Sequence, residues 1–370
     1  MALSRRGPAG SAARYPTARP LVEPPSGLGV RSGVAVHGGR RAGALTRSIW
    51  TRSHVHGPQS AWEHGLPAMR LATSLLLLLA TACATARAPL DVAAWESEGR
   101  VLPAGEESRL LDMRRPVRWT DGEVELRCER ASTLFSDGLR LLTEIEGSSG
   151  TRTTMVVDTG STFTMVSASA PLARDLLLGR DHRYGIANKP GETGHLGLLP
   201  EARVGSLRGR ELPVAITDRV HSTASPANLL GITHVFHLQL EGDTERWWLR
   251  SGSFRRPSME PGWSRVPLLP GTQLLRVRTP AGSTALAMLD SGAPTSTVVK
   301  GAKEGAYDVI DEGGRTVLRV DANDTVDWPG MQWQGEPIVL LIGMDALSAR
   351  PGRITFDAAT WALPPWRLVR

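Results

Sequence analysis

The sequence contains little cysteine, little lysine and a single long apolar run. Its two cysteines are Cys83 and Cys128, and because Cys83 lies at the end of that run, Cys128 has no partner for an internal disulfide. No glycine-rich loop followed by lysine is present, which argues against a P-loop phosphate site. There is no Ser-His-Asp signature either. Outside residues 69–83, no stretch is apolar enough to cross a bilayer.

The chain carries little net charge once its N-terminal segment is set aside. The formal net charge is +6, but residues 1–68 hold nine arginines and only two glutamates. Arg70 adds one more basic residue, and from residue 71 onward 33 basic residues stand beside 35 acidic ones. The folded part is therefore slightly acidic, and the basic balance is no argument for a nucleic-acid partner.

Residues 69–83 have the features of a secretory signal peptide. The segment begins with Met69 and Arg70, continues with a leucine-rich run too short to span a membrane, and ends with small residues before Cys83. Signals belong at an N-terminus, so we expect translation to start at Met69. Residues 1–68 are then a mis-assigned or disordered extension. The alternative is a disordered basic tail that precedes an internal anchor.

The end of this segment, Leu79–Cys83, resembles a bacterial lipoprotein box, in which the cysteine is lipidated. The resemblance implies an exported lipoprotein that faces the periplasm. Because Ala84 is not an aspartate, it also implies anchoring in the outer membrane, with membrane contact only through the lipid on Cys83. The alternative is simple cleavage after Ala86 or Ala88, which would leave a soluble secreted or periplasmic protein.

Beyond the signal, the composition defines a tether and two lobes. Residues 84–115 contain proline and many charges and are predicted to be a tether. From residue 116, short apolar runs broken by glycine, proline and aspartate predict an all-β protein, with one short helix within Ala168–Leu178. Residues 251–262 contain Arg-Arg-Pro and Glu-Pro-Gly and predict a linker. It separates a first lobe at 116–250 from a second at 263–370.

An internal repeat relates the two lobes. The Asp-Thr-Gly sequence of 158–160 has a counterpart 132 residues later in the Asp-Ser-Gly sequence of 290–292. Each aspartate ends an apolar strand that follows a glycine-containing hairpin turn. Later in each half an apolar-apolar-glycine segment recurs, with Gly231 in the first and Gly343 in the second. Because a buried carboxylate is costly without a partner or a task, the two aspartates are predicted to meet.

At these motifs the chain resembles the aspartic proteases of the pepsin/retropepsin group. The resemblance covers about residues 139–363 and implies two β-barrel lobes related by pseudo-twofold symmetry. Each lobe would supply one catalytic aspartate, Asp158 or Asp290. It also implies that Gly231 and Gly343 lie in segments that cross behind the catalytic loops. Both carboxylates belong to one chain, so a monomer is expected, without cofactor or metal.

The same resemblance assigns supporting roles within the two loops. Hydroxyls are expected to brace the opposite loop, and glycines to keep backbone amides near the carboxylates. The positions expected to do this are Thr159, Gly160, Ser291 and Gly292. The next positions differ, because Ser161 has a hydroxyl that can bond the neighbouring carboxylate and Ala293 has none. Asp158 is therefore expected to be the more readily ionised member.

Two facing carboxylates supply the chemistry for hydrolysis. They cannot both ionise comfortably, so one pKa rises and the pair holds a single proton. The ionised member takes a proton from a water between them, while the other donates to the substrate carbonyl. The sequence thus predicts an aspartic endopeptidase acting on a peptide or protein substrate. The alternatives are a catalytically silent envelope lipoprotein that binds peptides in the same cleft, and a narrow processing enzyme.

Two glycine-rich stretches are predicted to be flap hairpins over the cleft. They are Gly191–Gly197 in the first lobe and Glu312–Arg315 in the second, and an exposed turn is the alternative for each. Two histidines, His234 and His237, lie three residues apart but have no acidic or cysteine partner at ligand spacing. They are interpreted as core or surface histidines rather than zinc ligands.

Overall fold

The structure, a computed structural model, describes residues 91–103, 106, 117–132, 137–186, 189–218, 226–243, 245–322, 324–328 and 331–365. The predicted extension at 1–68 and the predicted signal at 69–83, with its Cys83, lie outside these residues. The described chain is built mainly of β-strands, which confirms the predicted all-β class. None of its helices has both the length and the apolar character needed to span a membrane.

The first lobe consists of strands with short helical turns between them. Its strands are β1 (Gly122–Ser132), β2 (Asp137–Gly147), β3 (Arg152–Asp158), β4 (Met165–Ser167), β5 (Leu177–Ile186), β6 (Lys189–Val204), β7 (Leu207–Thr217), β8 (Leu229–Gly231), β9 (Gln239–Gly242) and β10 (Trp247–Ser251). Its helical turns are α1 (Val92–Ser97), a 3₁₀ turn (Pro171–Asp175) and α2 (Ile232–Val235). The 3₁₀ turn lies inside the stretch for which the sequence predicts a short helix.

The second lobe repeats this plan with fewer residues in its strands. Its strands are β11 (Ser264–Pro267), β12 (Leu274–Arg278), β13 (Thr284–Leu289), β14 (Thr297–Val299), β15 (Gly305–Ile310), β16 (Thr316–Ala322), β17 (Asp324–Val326), β18 (Gln332–Trp333), β19 (Glu336–Ile342), β20 (Arg353–Thr355) and β21 (Thr360–Leu363). A helix, α3 (Met344–Ala349), follows β19. Between the lobes, a 3₁₀ turn at Gly252–Phe254 follows β10, and β11 begins at Ser264.

Alternating burial explains why these short sequences form strands. In β16, Leu318, Val320 and Ala322 are buried while Arg319 and Asp321 between them are exposed. Successive side chains of a strand point to opposite faces, so this pattern places one face on the core and the other in water. A period of two also runs through β15, where alternate side chains are buried.

The strands form two sheets, and the larger one joins the lobes. Its order is β11-β21-β20-β9-β10-β1-β2-β3-β8-β4-β7-β6-β5, and the order of the smaller is β16-β15-β12-β13-β19-β14-β17. Strands β11, β21 and β20 come from the second half of the chain, yet they continue the sheet of the first half through β9. The predicted two-lobed architecture is confirmed, and the shared sheet sets the relative position of the lobes.

A buried ionic cluster lies where the two halves meet in this sheet. Glu241 on β9 forms ion pairs with Arg250 on β10 and, at 3.3 Å, with Arg353 on β20. All three side chains are less than a tenth exposed. Buried charges are costly unless they are paired, and these pairs connect β20 of the second half with β9 of the first.

Part of the predicted tether belongs to the folded first lobe. Within 84–115, residues 91–103 contain α1, whose Trp95 is buried in the main core, and Leu102, which is also buried. The backbone of this segment pairs with β5, because Leu102 donates to the carbonyl of Leu178 and Leu178 donates to that of Arg100. Because these apolar side chains are buried in hydrophobic clusters, residues 91–103 pack against the lobe. This packing differs from the tether that the sequence predicts.

Candidate active site

Each acidic turn lies at the end of a central strand of its lobe. Strand β3 ends at Asp158, which pairs in parallel with Gly231 of β8. In the second lobe β13 ends one residue before Asp290, whose amide donates to the carbonyl of Ile342 in the parallel neighbour β19. Strands β2 and β12 form the hairpin partners of β3 and β13, as the repeat predicts. The two aspartates therefore occupy equivalent positions in the two lobes.

Crossed hydrogen bonds hold the two turns together. The Thr159 hydroxyl donates to the carbonyl of Leu289 at 2.9 Å, and the Ser291 hydroxyl donates to the carbonyl of Val157 at 2.8 Å. Each hydroxyl also accepts the backbone N–H of the other residue, at 3.0 and 3.1 Å. Both side chains are fully buried. Each turn is thus tied to the strand that carries the opposite aspartate, and these bonds would break if the lobes separated.

The glycines bring each turn against the carboxylate of the other lobe. A methyl group added at Gly160 would lie 2.4 Å from the carboxyl carbon of Asp290, and one at Gly292 would lie 2.3 Å from that of Asp158. Such distances are far below a van der Waals contact, so only glycine fits at either position. The carboxyl groups of Asp158 and Asp290 are hydrogen-bonded to each other. The structure therefore brings the two predicted aspartates together.

Backbone amides, rather than side-chain hydroxyls, bind the outer oxygens of the pair. Oδ1 of Asp158 accepts the N–H of Ser161 at 2.9 Å. Oδ1 of Asp290 accepts the N–H groups of Gly292 and Ala293, both at 3.0 Å. The Ser161 hydroxyl donates to the carbonyl of Phe163 at 2.7 Å and does not bond Asp158. The expectation for that hydroxyl is wrong, because the local turn offers it a backbone carbonyl two residues away.

The two crossing segments lie directly behind the turns. A methyl group at Gly231 would lie 2.4 Å from the backbone of Phe163, and one at Gly343 would lie 2.4 Å from that of Thr295. The residue after each glycine donates its N–H into the adjacent turn, at 2.8 Å from Ile232 and 2.9 Å from Met344. Both predicted glycines therefore allow a close backbone approach that any side chain would prevent.

A second hydroxyl connects each crossing segment to its loop, and here the lobes differ. Ser296 accepts the Gly343 N–H and donates to the Asp345 carboxylate at 2.7 Å. In the first lobe Thr164 accepts the Gly231 N–H and bonds Nδ1 of His234. A buried imidazole therefore takes the place that a carboxylate has in the second lobe. The prediction that His234 is a core histidine agrees with this position.

Burial raises the pKa of both aspartates, and the charge of Asp158 raises that of Asp290 further. For Asp158, burial raises the pKa, and the Ser161 N–H and the hydrogen bond with Asp290 oppose that rise. For Asp290, burial and then the negative charge of Asp158 hold the pKa well above its usual range. Two carboxylates this close titrate as a unit. The larger upward effect on Asp290 favours it over Asp158 as the protonated member of the pair.

One charged neighbour of the pair has no signal in the sequence. The guanidinium of Arg140 on β2 lowers the pKa of Asp158, in opposition to the larger effect of burial. Arg140 stands in an ordinary strand pattern, Leu139-Arg140-Leu141, that predicts an exposed side chain between two apolar ones. Only the register between β2 and β3 could have identified it as a neighbour of the site.

Both glycine-rich stretches predicted to be flaps lie in hairpins, the first along a strand and the second at a turn. Strands β5 and β6 form a long hairpin, and Gly191–Gly197 lies along β6, paired with β5 and β7. The stretch predicted to be a flap hairpin therefore forms part of one strand of a hairpin. Glu312–Arg315 does form the turn between β15 and β16.

The described residues contain no group of three or more His, Cys, Asp and Glu side chains suited to a metal ion. His237 contacts the Asp357 carboxylate at 3.2 Å, and Arg255 binds the same carboxylate in a bidentate pair. This cluster lies near the lobe junction, and its contacts are those of an ordinary ion pair.

Comparisons with known proteins agree with this geometry. Residues 144–233, which include Asp158 and Gly231, match the family model described as aspartyl protease. No curated protein matches the chain. Among solved structures, the chain is similar to the aspartic proteinase from Irpex lacteus, with 12% identity and a TM-score of 0.41 over 66% of this chain and 97% of that chain. The family match supports a resemblance of residues 144–233 to aspartyl proteases.

Proposed function

We propose that the protein is an aspartic endopeptidase. In this proposal a substrate peptide bond is hydrolysed at the site formed by the side chains of Asp158 and Asp290. The observation that carries the proposal is the contact of the two carboxyl groups across the lobe junction, each seated against a glycine of the other turn. Holding two carboxylates together is unfavourable for stability alone. A shared proton, a fixed geometry and a raised pKa are what general acid–base hydrolysis requires.

In the proposed reaction the two aspartates exchange roles. Asp158, ionised, removes a proton from a water that lies between the carboxyl groups, and the water oxygen attacks the substrate carbonyl carbon. Asp290 donates its proton to the carbonyl oxygen, which gives a neutral tetrahedral diol. Asp158 then returns its proton to the amide nitrogen as the C–N bond breaks, and the diol proton returns to Asp290. The backbone amides that bind both carboxylates keep them in place throughout.

The fold also supports substrate binding beside the pair. The β5–β6 hairpin extends from the first lobe, and the β15–β16 hairpin is its counterpart in the second. Hairpins of this kind can close over an extended peptide and exclude water from the reacting groups. The substrate class is therefore peptide or protein, and both aspartates are supplied by a single chain.

The test is incubation of the protein with a proteome-derived peptide mixture from acidic to neutral pH, with mass spectrometry of the products. We expect new internal cleavages, and we expect a peptide isostere with a tetrahedral hydroxyl at the scissile position to suppress them. Such an isostere resembles the diol and binds more tightly than substrate. Peptides that bind without being cleaved would instead identify a silent binding module that uses the same cleft.

We also propose that the chain is exported and anchored by lipid on Cys83, in the outer membrane and facing the periplasm. The small residues before this cysteine and the apolar run before them support the proposal. Expression in a bacterial host should place the wild type in the membrane fraction, and Cys83→Ala should move it to the soluble fraction. Continued membrane retention of Cys83→Ala would contradict the anchor. Cys128→Ala is the matched control.

A further inference from the structure

Arg140 is a buried cation without an obvious structural role. Its side chain is 6% exposed, and its Nε has no hydrogen-bond partner among the described residues. Burial lowers its pKa, which means that the surroundings work against the charged form. A buried guanidinium with an unpartnered N–H is costly. Its presence at this position is therefore best explained by a neighbour that responds to its charge.

The register of the sheet places Arg140 beside the acidic pair. Strands β2 and β3 pair antiparallel, with Leu142 opposite Val156. The ladder ends at this pair, and extending its register by two residues along each strand aligns Arg140 with Asp158. Directly opposite residues of an antiparallel pair share a face, so the guanidinium and the carboxylate lie on the same side of the sheet. Each of the two charges favours the ionised form of the other.

The start of β2 also touches the second acidic turn. Gly138 lies on the same face as Arg140, and a methyl group there would be 2.4 Å from Pro294. Pro294 follows Asp290 by four residues. Arg140 is therefore placed on the strand that runs past both turns, with Asp158 as its cross-strand neighbour.

The other charged group that faces Arg140 is Glu129 on β1. It stands opposite Arg140 in the β1–β2 register and favours the charged guanidinium, but to a smaller extent than Asp158. Glu129 is also within 3.9 Å of Arg127 on its own strand. The titratable groups that act on Asp158 are Asp290 and Arg140. Arg140 is thus the cation among the groups that shift the pKa of this carboxylate.

We propose that Arg140 is a positioning residue of the acidic pair, whose charge holds Asp158 as the ionised member and leaves the proton on Asp290. This inference rests on the proposed function, in which Asp158 is the base that activates water. It adds to the asymmetry of the pair, because a cation is among the groups that lower the pKa of Asp158, whereas those that lower the pKa of Asp290 are backbone amides. It also explains why a cation is kept on β2 at a position that is otherwise enclosed.

The first test measures protonation without substrate. Carboxyl resonances of ¹³C-labelled aspartate are followed by NMR against pH, with Asp158→Asn used to assign them. In Arg140→Met the lower apparent pKa of the pair should rise by about one unit, because an opposite charge at close range has been removed. Arg140→Lys retains the charge and should titrate like the wild type. Arg127→Met removes an exposed cation from β1 and serves as the matched control.

The second test measures activity. The acidic limb of the pH profile of kcat/KM should move upward in Arg140→Met by the same shift, and Arg140→Lys should restore it. A purely structural role would lower thermal stability without moving the limb. Should Arg140→Met fail to fold, Arg140→Gln is measured in its place, since it keeps a hydrogen-bonding group and lacks the charge.

The two proposals fail in different ways. The role of the arginine would be overturned if Arg140→Met or Arg140→Gln folds and its carboxyl groups titrate as in the wild type. This conclusion would hold whatever the activity of the variant. An equal shift in Arg127→Met would do the same, because it would show a general effect of net charge. If the titration shifts but the wild type cleaves no peptide, the electrostatic inference stands and the endopeptidase proposal falls.

Discussion

Substituting either aspartate of the pair by asparagine is expected to reduce kcat/KM for peptide hydrolysis by at least about 10³-fold. An asparagine at position 158 could not take a proton from water, and one at position 290 could not donate a proton to the carbonyl oxygen as a carboxylic acid does. Asparagine keeps the shape of the side chain and an oxygen for the backbone amides that now bind Oδ1. The measurement is steady-state hydrolysis of a peptide identified from the cleaved mixture, over the pH range in which the wild type is active.

The same substitutions should not unfold the protein. Burial raises the pKa of Asp158 and Asp290, so their ionisation is unfavourable in the folded state. Stability from these groups is present at low pH and is lost as the pH rises through their raised folded pKa values. The asparagine variants should therefore be at least as stable as the wild type near neutral pH. Asp321→Asn, at an exposed position of β16, is the matched control for both measurements.

Activity of either asparagine variant within about tenfold of the wild type would contradict the mechanism, since groups that act as a unit cannot be removed singly at little cost. Unequal losses would be informative as well. A larger loss at Asp158 than at Asp290 would indicate that activation of water limits the rate more than donation to the carbonyl.

Protonation of His234 is expected to destabilise the first lobe as the pH falls. Its side chain is fully buried, and burial lowers its pKa from 6.5 to about 3. A histidine with a depressed folded pKa contributes its full stability above about 6.5, and that contribution is lost as the pH falls toward about 3. Over that window the loss attributable to this one group is about 5 kcal/mol.

The destabilisation should act on the loop that carries Asp158. Nδ1 of His234 bonds the Thr164 hydroxyl, which in turn accepts the Gly231 N–H behind that loop. The backbone carbonyl of His234 also accepts from the indole of Trp119 at 2.6 Å. A charged imidazole in this enclosed position would disturb both contacts. The acidic limit of activity in this protein is therefore expected to include loss of structure around the first turn.

The measurement is chemical denaturation followed by tryptophan fluorescence between pH 7 and pH 4. Asparagine at this position keeps an acceptor for the Thr164 hydroxyl but does not titrate, so His234→Asn should lose less stability on acidification than the wild type. His237→Asn, on a partly exposed histidine nearby, is the comparison variant that removes an imidazole outside the enclosed position of His234. Equal slopes for wild type and His234→Asn would refute the assignment, even if the variant were less stable at pH 7.

The titrations of the acidic pair and of His234 have opposite effects on the stability of the folded protein. The raised pKa values of the acidic pair favour the folded state at low pH, and the lowered pKa of His234 favours it at high pH, so the two contributions to the free energy of unfolding change with pH in opposite directions. The difference in free energy of unfolding between wild type and His234→Asn isolates the contribution of the histidine. The corresponding difference between wild type and Asp158→Asn isolates the contribution of the acidic pair. Each difference has a predicted sign, which makes them independent checks on the same site.

Much of the site can be predicted from the local sequence, because contacts between residues close together in the chain position it. A strand that ends in Asp-Thr-Gly or Asp-Ser-Gly positions its aspartate through bonds to residues two or three places away, such as Ser161 and Ala293. The repeat of that pattern 132 residues later is visible without coordinates. Gly231 and Gly343 are likewise detectable, because the same apolar-apolar-glycine segment recurs in each half.

Other features depend on contacts that a local pattern does not specify. The direction of the Ser161 hydroxyl and the packing of residues 91–103 on the first lobe were expected otherwise. In each case the pattern allowed two outcomes, and a backbone carbonyl or an apolar surface selected one. Charged, proline-containing segments are compatible with packing when such a partner is present.

The sequence by itself determined the all-β class, the duplication and the identity of the two aspartates, because these depend on residue type and on spacing along the chain. Only the tertiary structure decided that Arg140 stands opposite Asp158 and that His234 is enclosed. Strand register and burial are set by pairing and packing between segments far apart in the chain. The charge and pKa of a side chain in such a site are therefore properties of the folded protein rather than of its local sequence.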